Sequence, residues 1–288
     1  MSARIVKLIQ GSPEWHAHRS HHRNASETPA VLGFSPWMTA YQFWQLKTGR
    51  VSAQAPTAAM AHGTAMEPLA RLAYEELTGD IMEPLVMVDG QYSASLDGIT
   101  LGGKLMLEIK CPKSKESKML LEAKAGRIQE SVFWQIQTQL MVSGAEQAHL
   151  YVYDGTDGIL LEQRRDVAAW ETLRAGWDAF AACIKEDQPP ALTDRDTLIR
   201  TDAKWQAAAI EYARLKAEAD TVDEKLDAAK ARLTALAVHN SESGAGVTVT
   251  RYWKNGSVDY KKVPQLAGVD LDLYRGQGRE EVRVTTVR

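Results

Sequence analysis

The sequence predicts an α/β fold in which a central sheet is flanked by helices. Three observations predict this class. Helical patterns fill most of residues 12–77, apolar and polar residues alternate at residues 105–110 as in a strand, and a helical pattern at residues 132–142 precedes the strand-like sequence AHLYVYD. Helices, strands, helix and strand in this order are typical of proteins whose helices pack on a sheet.

The helices are expected where capping residues precede an apolar period. Ser12 and Pro13 open a helix that presents Trp15 and Arg19, and a second helix starts near Ser26 and ends at Gly33. Further helices are predicted at residues 39–49, 65–77, 117–125 and 132–142, with a loop at residues 50–58. Pro68 fits the helix at residues 65–77 because it falls in the first turn, where a backbone N–H is not needed.

The stretch SASLDGITLGGKLMLEIKCPK (residues 93–113) predicts a hairpin with charged residues among apolar ones. Gly102-Gly103 forms a two-residue loop, with positive φ expected at both glycines. Counting outward from this loop places Asp97 opposite Glu108, with Cβ atoms ~4.5–5.5 Å apart, where like charges repel. A hard cation such as Mg²⁺ would offset the repulsion, and Lys110 shares the face of Glu108. The alternative is a solvent-facing hairpin whose polar face carries these charges.

Three other polar positions have two interpretations on the residues alone. Glu67 lies in the first turn of its predicted helix, where a carboxylate is favourable beside the positive end of the helix dipole. Gln135 and Gln139 lie four residues apart and share one helix face, either as an exposed polar stripe or as site residues. Gln137 points elsewhere on the same helix.

The histidine-rich segment HAHRSHHR (residues 16–23) suggests a metal site at first sight. Zinc ligands are spaced by four residues or come in separated pairs, with a second contributing segment. The sequence shows no such second segment, so a zinc site is not expected here.

Composition limits the function classes. The chain has 288 residues, 44% of them hydrophobic, which is enough for a substantial core. No signal peptide or membrane span is recognisable, and two cysteines do not make a disulfide framework, so we expect a reducing cytoplasm. A net charge of −3 argues against nucleic-acid binding, but six Lys/Arg against two Glu at residues 110–127, and eight Lys/Arg against five acidic residues at 251–288, provide local basic segments.

Four ordered blocks of sequence resemble the YqaJ and lambda exonuclease family of the PD-(D/E)xK nuclease superfamily. SLDG followed by LEIKCP resembles the core motif of the superfamily, and the other three blocks are GSPEWHAHRSHHRNASETPAVLG, HGTAMEPLARLAYEELTG and FWQIQTQLMVSG. Together they span about residues 10–155. The resemblance implies a restriction-endonuclease-like core with a mixed central sheet, in a nuclease domain at residues 1–190.

The resemblance also implies site roles. Asp97 and Glu108, with Glu67 as a third carboxylate, would hold Mg²⁺, for which Mn²⁺ is a substitute, and Lys110 would orient or activate water. Gln135 would lie near that water or the DNA backbone. In the opening block, Arg19 and Ser26 match positions that bind the 5′-terminal phosphate, a sensible use of a guanidinium and a hydroxyl. Arg23 either shares this task or is solvated.

The predicted activity is a metal-dependent exonuclease on double-stranded DNA ends. From the family, we expect 5′-to-3′ digestion that leaves single-stranded 3′ overhangs for phage-type homologous recombination, with a phage or prophage origin and action in the bacterial cytoplasm. The family also implies a homotrimeric ring and a single-strand annealing protein as partner. The alternatives are a related metal-dependent endonuclease and a non-catalytic DNA-binding or assembly module that retains the fold.

Residues 191–288 form a predicted C-terminal extension that the resemblance does not cover. QPPALTDRD is typical of a linker. From about Asp202 to His239, apolar residues at alternating three- and four-residue spacing predict a packing helix or a coiled coil, at Ala219, Val222, Leu226, Ala229, Leu233 and Leu236. The strand-like sequences VTVTRYW, SVDYKK and EVRVTTV follow, with a predicted turn at Asn255-Gly256.

Overall fold

The computed structural model describes residues 3–52, 55, 57–254, 256, 260, 263–266, 269 and 274. The chain divides into two compact units, Met1–Thr197 and Leu198–Arg288. None of the described helices is long and apolar enough to span a membrane.

Three short helices of the first unit begin close to their predicted positions. Helix α1 spans Pro13–Ser20, and the Ser12 side chain accepts a hydrogen bond from the Trp15 N–H at 3.2 Å. A 3-10 turn at Ala25–Glu27 leads into α2 at Thr28–Val31, so Ser26 lies inside this turn and is not the predicted N-cap. Helix α3 spans Ala40–Lys47.

Helix α4 is longer than predicted and spans Ala58–Thr78. Its N-cap is Thr57, whose side chain accepts from the Met60 N–H at 3.3 Å. Pro68 is therefore inside the helix and Glu67 is in its middle. The prediction that both lie in the first turn is wrong, because the cap at Thr57 begins the helix two turns earlier.

The first unit is built on a seven-stranded mixed sheet in the order β1-β3-β4-β5-β6-β7, with β2 paired to β4. The strands are β1 Arg4–Val6, β2 Arg23–Asn24, β3 Glu83–Asp89, β4 Tyr92–Ile99, β5 Leu105–Lys110, β6 Gln147–Tyr153 and β7 Gly158–Arg164. The β5–β6 and β2–β4 pairs are parallel and the others are antiparallel. The α/β class with a mixed central sheet is confirmed.

Helices cover both faces of this sheet. Helices α5 (Lys118–Lys124), α6 (Glu130–Ser143) and α7 (Val167–Lys185) complete the first unit. The larger core includes Leu96 and Met106 with Ile136 of α6 and Leu173 of α7. A smaller core joins α4 to β5 and β6, with Ala70, Tyr74, Leu107, Ile109 and Tyr151. Strand β5 is thus buried on both sides.

The β4–β5 hairpin has the predicted register but a different turn. Gly98 pairs with Leu107, and one further step places Asp97 opposite Glu108. The Thr100 N–H donates to the Leu105 carbonyl at 3.0 Å, so four residues, 101–104, link the strands. Positive φ occurs at Gly103 (67°) and not at Gly102. The predicted two-residue loop is therefore wrong, because the hydrogen bond between Thr100 and Leu105 is the last one of the hairpin before the glycines.

The segment that was predicted as a linker is partly tied to the first unit. Arg195 donates to the carbonyls of Ser35 and Pro36 at 2.7 and 2.9 Å, and the Thr39 hydroxyl donates to Asp196 at 2.5 Å. The division between the two compact units follows Thr197, whereas the predicted boundary is at residue 190.

The second unit contains a long helix and a hairpin. Helix α8 spans Ala203–Leu236, and strands β8 (Ser241–Gly244) and β9 (Val247–Thr250) pair antiparallel. The predicted long helix is confirmed. The strand-like sequence EVRVTTV lies outside the described residues, as does most of SVDYKK and the first residue of the predicted Asn255-Gly256 turn.

Candidate active site

The candidate site is centred on the carboxylate of Glu108, which lies on β5 and is only 2% exposed. Three side chains contact it. Lys110 Nζ is 2.5 Å from Oε1, Gln135 Nε2 donates to Oε1 at 2.7 Å, and Gln139 Nε2 donates to Oε2 at 2.5 Å. Lys110 Nζ also donates to Gln135 Oε1 at 3.2 Å. The alternative of a solvent-facing hairpin is wrong, because helix α6 covers this face of the sheet.

Asp97 lies beside Glu108 on the neighbouring strand. Its Oδ2 accepts a hydrogen bond from the backbone N–H of Ile109 at 2.7 Å, which fixes the carboxylate against β5. The side chain remains partly accessible. Two carboxylates on adjacent strands therefore meet next to one lysine, as the register predicts.

Glu67 reaches the same region from helix α4. Arg71, one turn further along α4, holds Glu67 Oε1 at 3.2 Å and donates through Nε to the backbone carbonyl of Asp97 at 2.7 Å. This guanidinium links the helix glutamate to the strand that carries the aspartate. The sequence signal for it was the four-residue spacing of Glu67 and Arg71.

The three carboxylates influence one another electrostatically. Burial raises the pKa of Asp97 well above its ordinary value, and the charges of Glu108 and Glu67 raise it further. Burial also raises the pKa of Glu67; Arg71 opposes this rise and Glu108 adds to it. Burial by itself would lower the pKa of Lys110, but Glu108 and Asp97 outweigh it and raise that pKa. The site concentrates negative charge that its own cations only partly compensate.

The glutamines of α6 have distinct roles. Gln135 and Gln139 both hold Glu108, so the exposed polar stripe is wrong, and Gln139 is fully buried with its Oε1 lacking a hydrogen-bond partner. Gln137 is also fully buried but serves the fold. Its Nε2 donates to the Arg164 carbonyl at 2.8 Å, and its Oε1 accepts from the Asp166 N–H and from Trp170 Nε1.

Arg19 and Ser26, the predicted phosphate clamp, are adjacent in the structure. Arg19 Nη2 donates to Ser26 Oγ at 3.1 Å and lies 3.3 Å from Glu27 Oε1, while its guanidinium stacks over the Trp15 ring. Glu27 also pairs with Lys47 at 3.0 Å. Because Ser26 is exposed, one edge of this pair is open to solvent.

Arg23 is engaged elsewhere. Its Nη1 lies 2.6 Å from Asp178 Oδ1 of α7 and donates to the Tyr92 hydroxyl at 3.0 Å. These contacts tie β2 to α7, so Arg23 is not simply solvated, and its share in phosphate binding stays a prediction. The nearby histidines bond locally: His18 Nε2 lies 3.0 Å from Ser93 Oγ, and the rings of His18 and His22 stack.

The ability of the site to hold a metal depends on its three carboxylates. They are close enough to shift one another's pKa, yet no group of three His, Cys, Asp or Glu in the described part of the chain is spaced as a ready metal-ligand set. Lys110 and Arg71 occupy oxygens of Glu108 and Glu67. The three-ligand metal site stays a prediction.

Comparison with known proteins identifies the domain that carries this site. Residues 14–146 match the family model of the YqaJ-like viral recombinase domain. This segment is similar to the YqaJ-like family. All eight of the predicted site residues lie within the YqaJ-like domain: Arg19, Ser26, Arg23, Glu67, Asp97, Glu108, Lys110 and Gln135.

Solved structures agree with this assignment. The chain is similar to the alkaline exonuclease LHK-Exo from Laribacter hongkongensis, with 25% identity and a TM-score of 0.53 over 62% of this chain and 94% of that chain. A structure of LHK-Exo in complex with dAMP matches at 24% identity with a TM-score of 0.54 and the same coverage. No curated protein sequence matches the chain. The YqaJ-like domain and these neighbours support a phage-type DNA exonuclease.

Proposed function

We propose that the chain is a Mg²⁺-dependent exonuclease that digests duplex DNA from its ends in the 5′-to-3′ direction and leaves 3′ single strands. The observation that carries this proposal is the convergence of Asp97, Glu108, Lys110 and Gln135 at one point of the sheet, with Glu67 approaching from α4. The YqaJ-like domain supports the same activity.

The chemistry of the donor set fits Mg²⁺. Asp97, Glu108 and Glu67 offer carboxylate oxygens, the ligands that hard cations prefer. Burial first, and then the neighbouring carboxylates, raise the pKa of Asp97 and of Glu67, and a divalent cation would stabilise their ionised forms. When bound, Mg²⁺ supplies the positive charge that stabilises the phosphate during displacement and makes water a better nucleophile. Mn²⁺ has similar ligand preferences and is expected to substitute.

The chain's own residues would orient the reaction. Gln139 and Gln135 fix the two oxygens of Glu108, so this carboxylate is held before substrate arrives. Lys110, already charged and bonded to both Glu108 and Gln135, can donate from Nζ to an attacking water or to a phosphate oxygen. Gln135 accepts a hydrogen bond from Lys110 through Oε1, so its side-chain amide would lie close enough to hydrogen-bond the same water.

The selection of 5′ ends would depend on Arg19 and Ser26. Their side chains are 3.1 Å apart and together offer N–H and O–H donors, which suit the oxygens of a terminal phosphate. Glu27 keeps Arg19 in place, since it holds the guanidinium at 3.3 Å.

The assembly and its partners are part of the proposal. A chain with net charge −3 holds DNA weakly by charge alone, so a homotrimeric ring that encloses the duplex would explain continued digestion. The exposed residues Lys113, Lys115, Lys118, Lys124 and Arg127 offer a basic surface for its channel. A single-strand annealing protein would receive the 3′ strands in the bacterial cytoplasm.

Direction is tested with two linear duplexes, each labelled internally on one strand and blocked at one end by phosphorothioates. Degradation of only the strand with an open 5′ end is the expected result. Degradation from the 3′ end would contradict the proposed direction, while the metal site could still be correct.

A further inference from the structure

One face of helix α8 carries an uninterrupted series of apolar or alanine side chains at alternating three- and four-residue spacing. We call these ten residues the α8 seam: Trp205, Ala208, Tyr212, Leu215, Ala219, Val222, Leu226, Ala229, Leu233 and Leu236. The series spans more than four heptads, which is typical of a coiled coil. No residue of α8, all of which are described, is buried, and Val222, Leu226 and Leu236 are 60%, 63% and 75% exposed.

We propose that the α8 seam pairs with the α8 seam of a second copy of this chain in an antiparallel two-stranded coiled coil. In the register that aligns the whole seam, Trp205 lies opposite Leu236 of the second copy, and the two-fold axis passes between Asp220 and Thr221. This interaction is independent of the proposed nuclease activity.

The side-chain sizes favour this register. Each alanine of the seam faces a larger residue: Ala208 faces Leu233, Ala219 faces Val222 and Ala229 faces Tyr212. Small side chains opposite large ones fill an interface evenly. A parallel pair would instead set Trp205 against Trp205 and each alanine against itself, so that one layer is overfilled and three leave voids.

The charges that flank the seam favour the same orientation. In the antiparallel register the flanking pairs have opposite signs: Glu211–Arg232, Glu218–Lys225 and Lys216–Asp223. In a parallel coiled coil, each flanking residue faces the residue five positions further along the second helix. Glu218 would then face Asp223 and Lys225 would face Lys230, and only the Glu211–Lys216 pair would be attractive. Flanking charges of this kind set partner choice and orientation.

The second unit also contains a groove that could bind the end of the partner helix. A groove of about 240 Å³ lies between α8 and the β8–β9 hairpin, lined by Leu233, Leu236, Val247 and Val249 among others. The proposed register brings Trp205 of the second copy opposite Leu236, at the edge of this groove. A large aromatic side chain there would bury apolar surface on both copies.

Orientation is tested by disulfide cross-linking in the full chain. Ala208→Cys and Leu233→Cys are prepared separately and also co-expressed, and the native chain, which keeps Cys111 and Cys183, sets the background. Positions 208 and 233 are about 37 Å apart along a helix at 1.5 Å per residue, far beyond disulfide reach. We expect a cross-link only in the co-expressed pair. Cross-linking of either variant alone would show a parallel pair, and no cross-link in any sample would show that α8 packs otherwise; both overturn the proposal.

Charge reversal gives a second test by sedimentation. Glu218→Lys should weaken association at least tenfold, and adding Lys225→Glu in the same chain should restore it. A stronger association of Glu218→Lys would indicate the parallel orientation and contradict the proposal.

The contact itself is tested with a matched pair of variants. Leu226→Glu places a charge in the α8 seam and should halve the particle mass, whereas Ala231→Glu, on the outer face of the same helix, should leave the mass unchanged. An unchanged mass for Leu226→Glu would overturn the proposal, whatever the assembly of the first unit.

Discussion

The most specific prediction for the candidate active site concerns Gln139, compared with Gln137 on the same helix. Both side chains are fully buried. Gln139 Nε2 donates to Glu108 at 2.5 Å and to the Ser95 carbonyl at 3.3 Å, whereas Gln137 makes three hydrogen bonds to residues 164–170. The same change, Gln→Leu, therefore removes a contact with the site in one case and contacts with the fold in the other.

The cost to stability can be worked out for each variant. Gln139→Leu loses a charged and a neutral hydrogen bond, about 2–4.5 kcal/mol together, but also removes a buried Oε1 without a partner, which relieves about 1–3 kcal/mol. The net loss is about 1 kcal/mol. Gln137→Leu loses three neutral hydrogen bonds of about 0.5–1.5 kcal/mol each, with no such relief. Gln137→Leu should be the less stable protein.

For activity the ranking of the two variants should be reversed, with Gln139→Leu the less active one. Loss of the bond that orients Glu108, about 1.5–3 kcal/mol, corresponds to a fall in turnover of about tenfold to more than a hundredfold in Gln139→Leu. Gln137→Leu should keep turnover per folded molecule. Urea unfolding gives the stabilities, and digestion of end-labelled duplex gives the rates. If both variants lose activity in proportion to their stability, Gln139 does not position Glu108 for catalysis.

Three other predictions concern Lys110, Arg19 and Asp97. Lys110→Ala should reduce cleavage to background while the circular dichroism spectrum is kept, and near-native rates would remove Lys110 from the site. Arg19→Ala should slow digestion of 5′-phosphorylated ends at least tenfold more than that of 5′-hydroxyl ends; equal slowing would make Arg19 a structural residue. The pKa of Asp97 is higher in the folded chain than its ordinary value of 3.8. The contribution of Asp97 to stability is therefore fully present at a pH below 3.8 and is lost as the pH rises through the folded pKa. In EDTA, Asp97→Asn should therefore melt at higher temperature than the native chain at pH 8, with the difference vanishing near pH 4, and a lower Tm at pH 8 would contradict the assigned electrostatics.

The sequence predicts the register of the central hairpin because one alternating strand fixes which side chains share a face. It does not predict the turn, because the Thr100–Leu105 hydrogen bond decides where the ladder ends. It also leaves open whether the face of Glu108 is solvated. Helix α6 buries that face, and its position on the sheet depends on contacts between residues distant in the chain.

In the candidate site, too, local spacing predicts some contacts, while others depend on residues distant in the chain. Gln135 with Gln139, and Glu67 with Arg71, are four residues apart on helices, so local spacing indicates shared faces. The roles of Arg23 and Gln137 depend on residues of α7 or just before it, and no local pattern indicates such partners. Helix α7 itself has a usable sequence signal, since the Asp166 side chain caps its first turn.

The most direct test of the central claim is digestion of linear and covalently closed circular duplexes of the same sequence, with Mg²⁺ and with EDTA, by the native chain and by Glu108→Gln. We expect that only the native chain digests DNA, only on the linear duplex and only with Mg²⁺. Cleavage of the closed circle would show an endonuclease, and digestion in EDTA or by Glu108→Gln would show that the carboxylate cluster around Glu108 is not the metal-dependent catalytic centre.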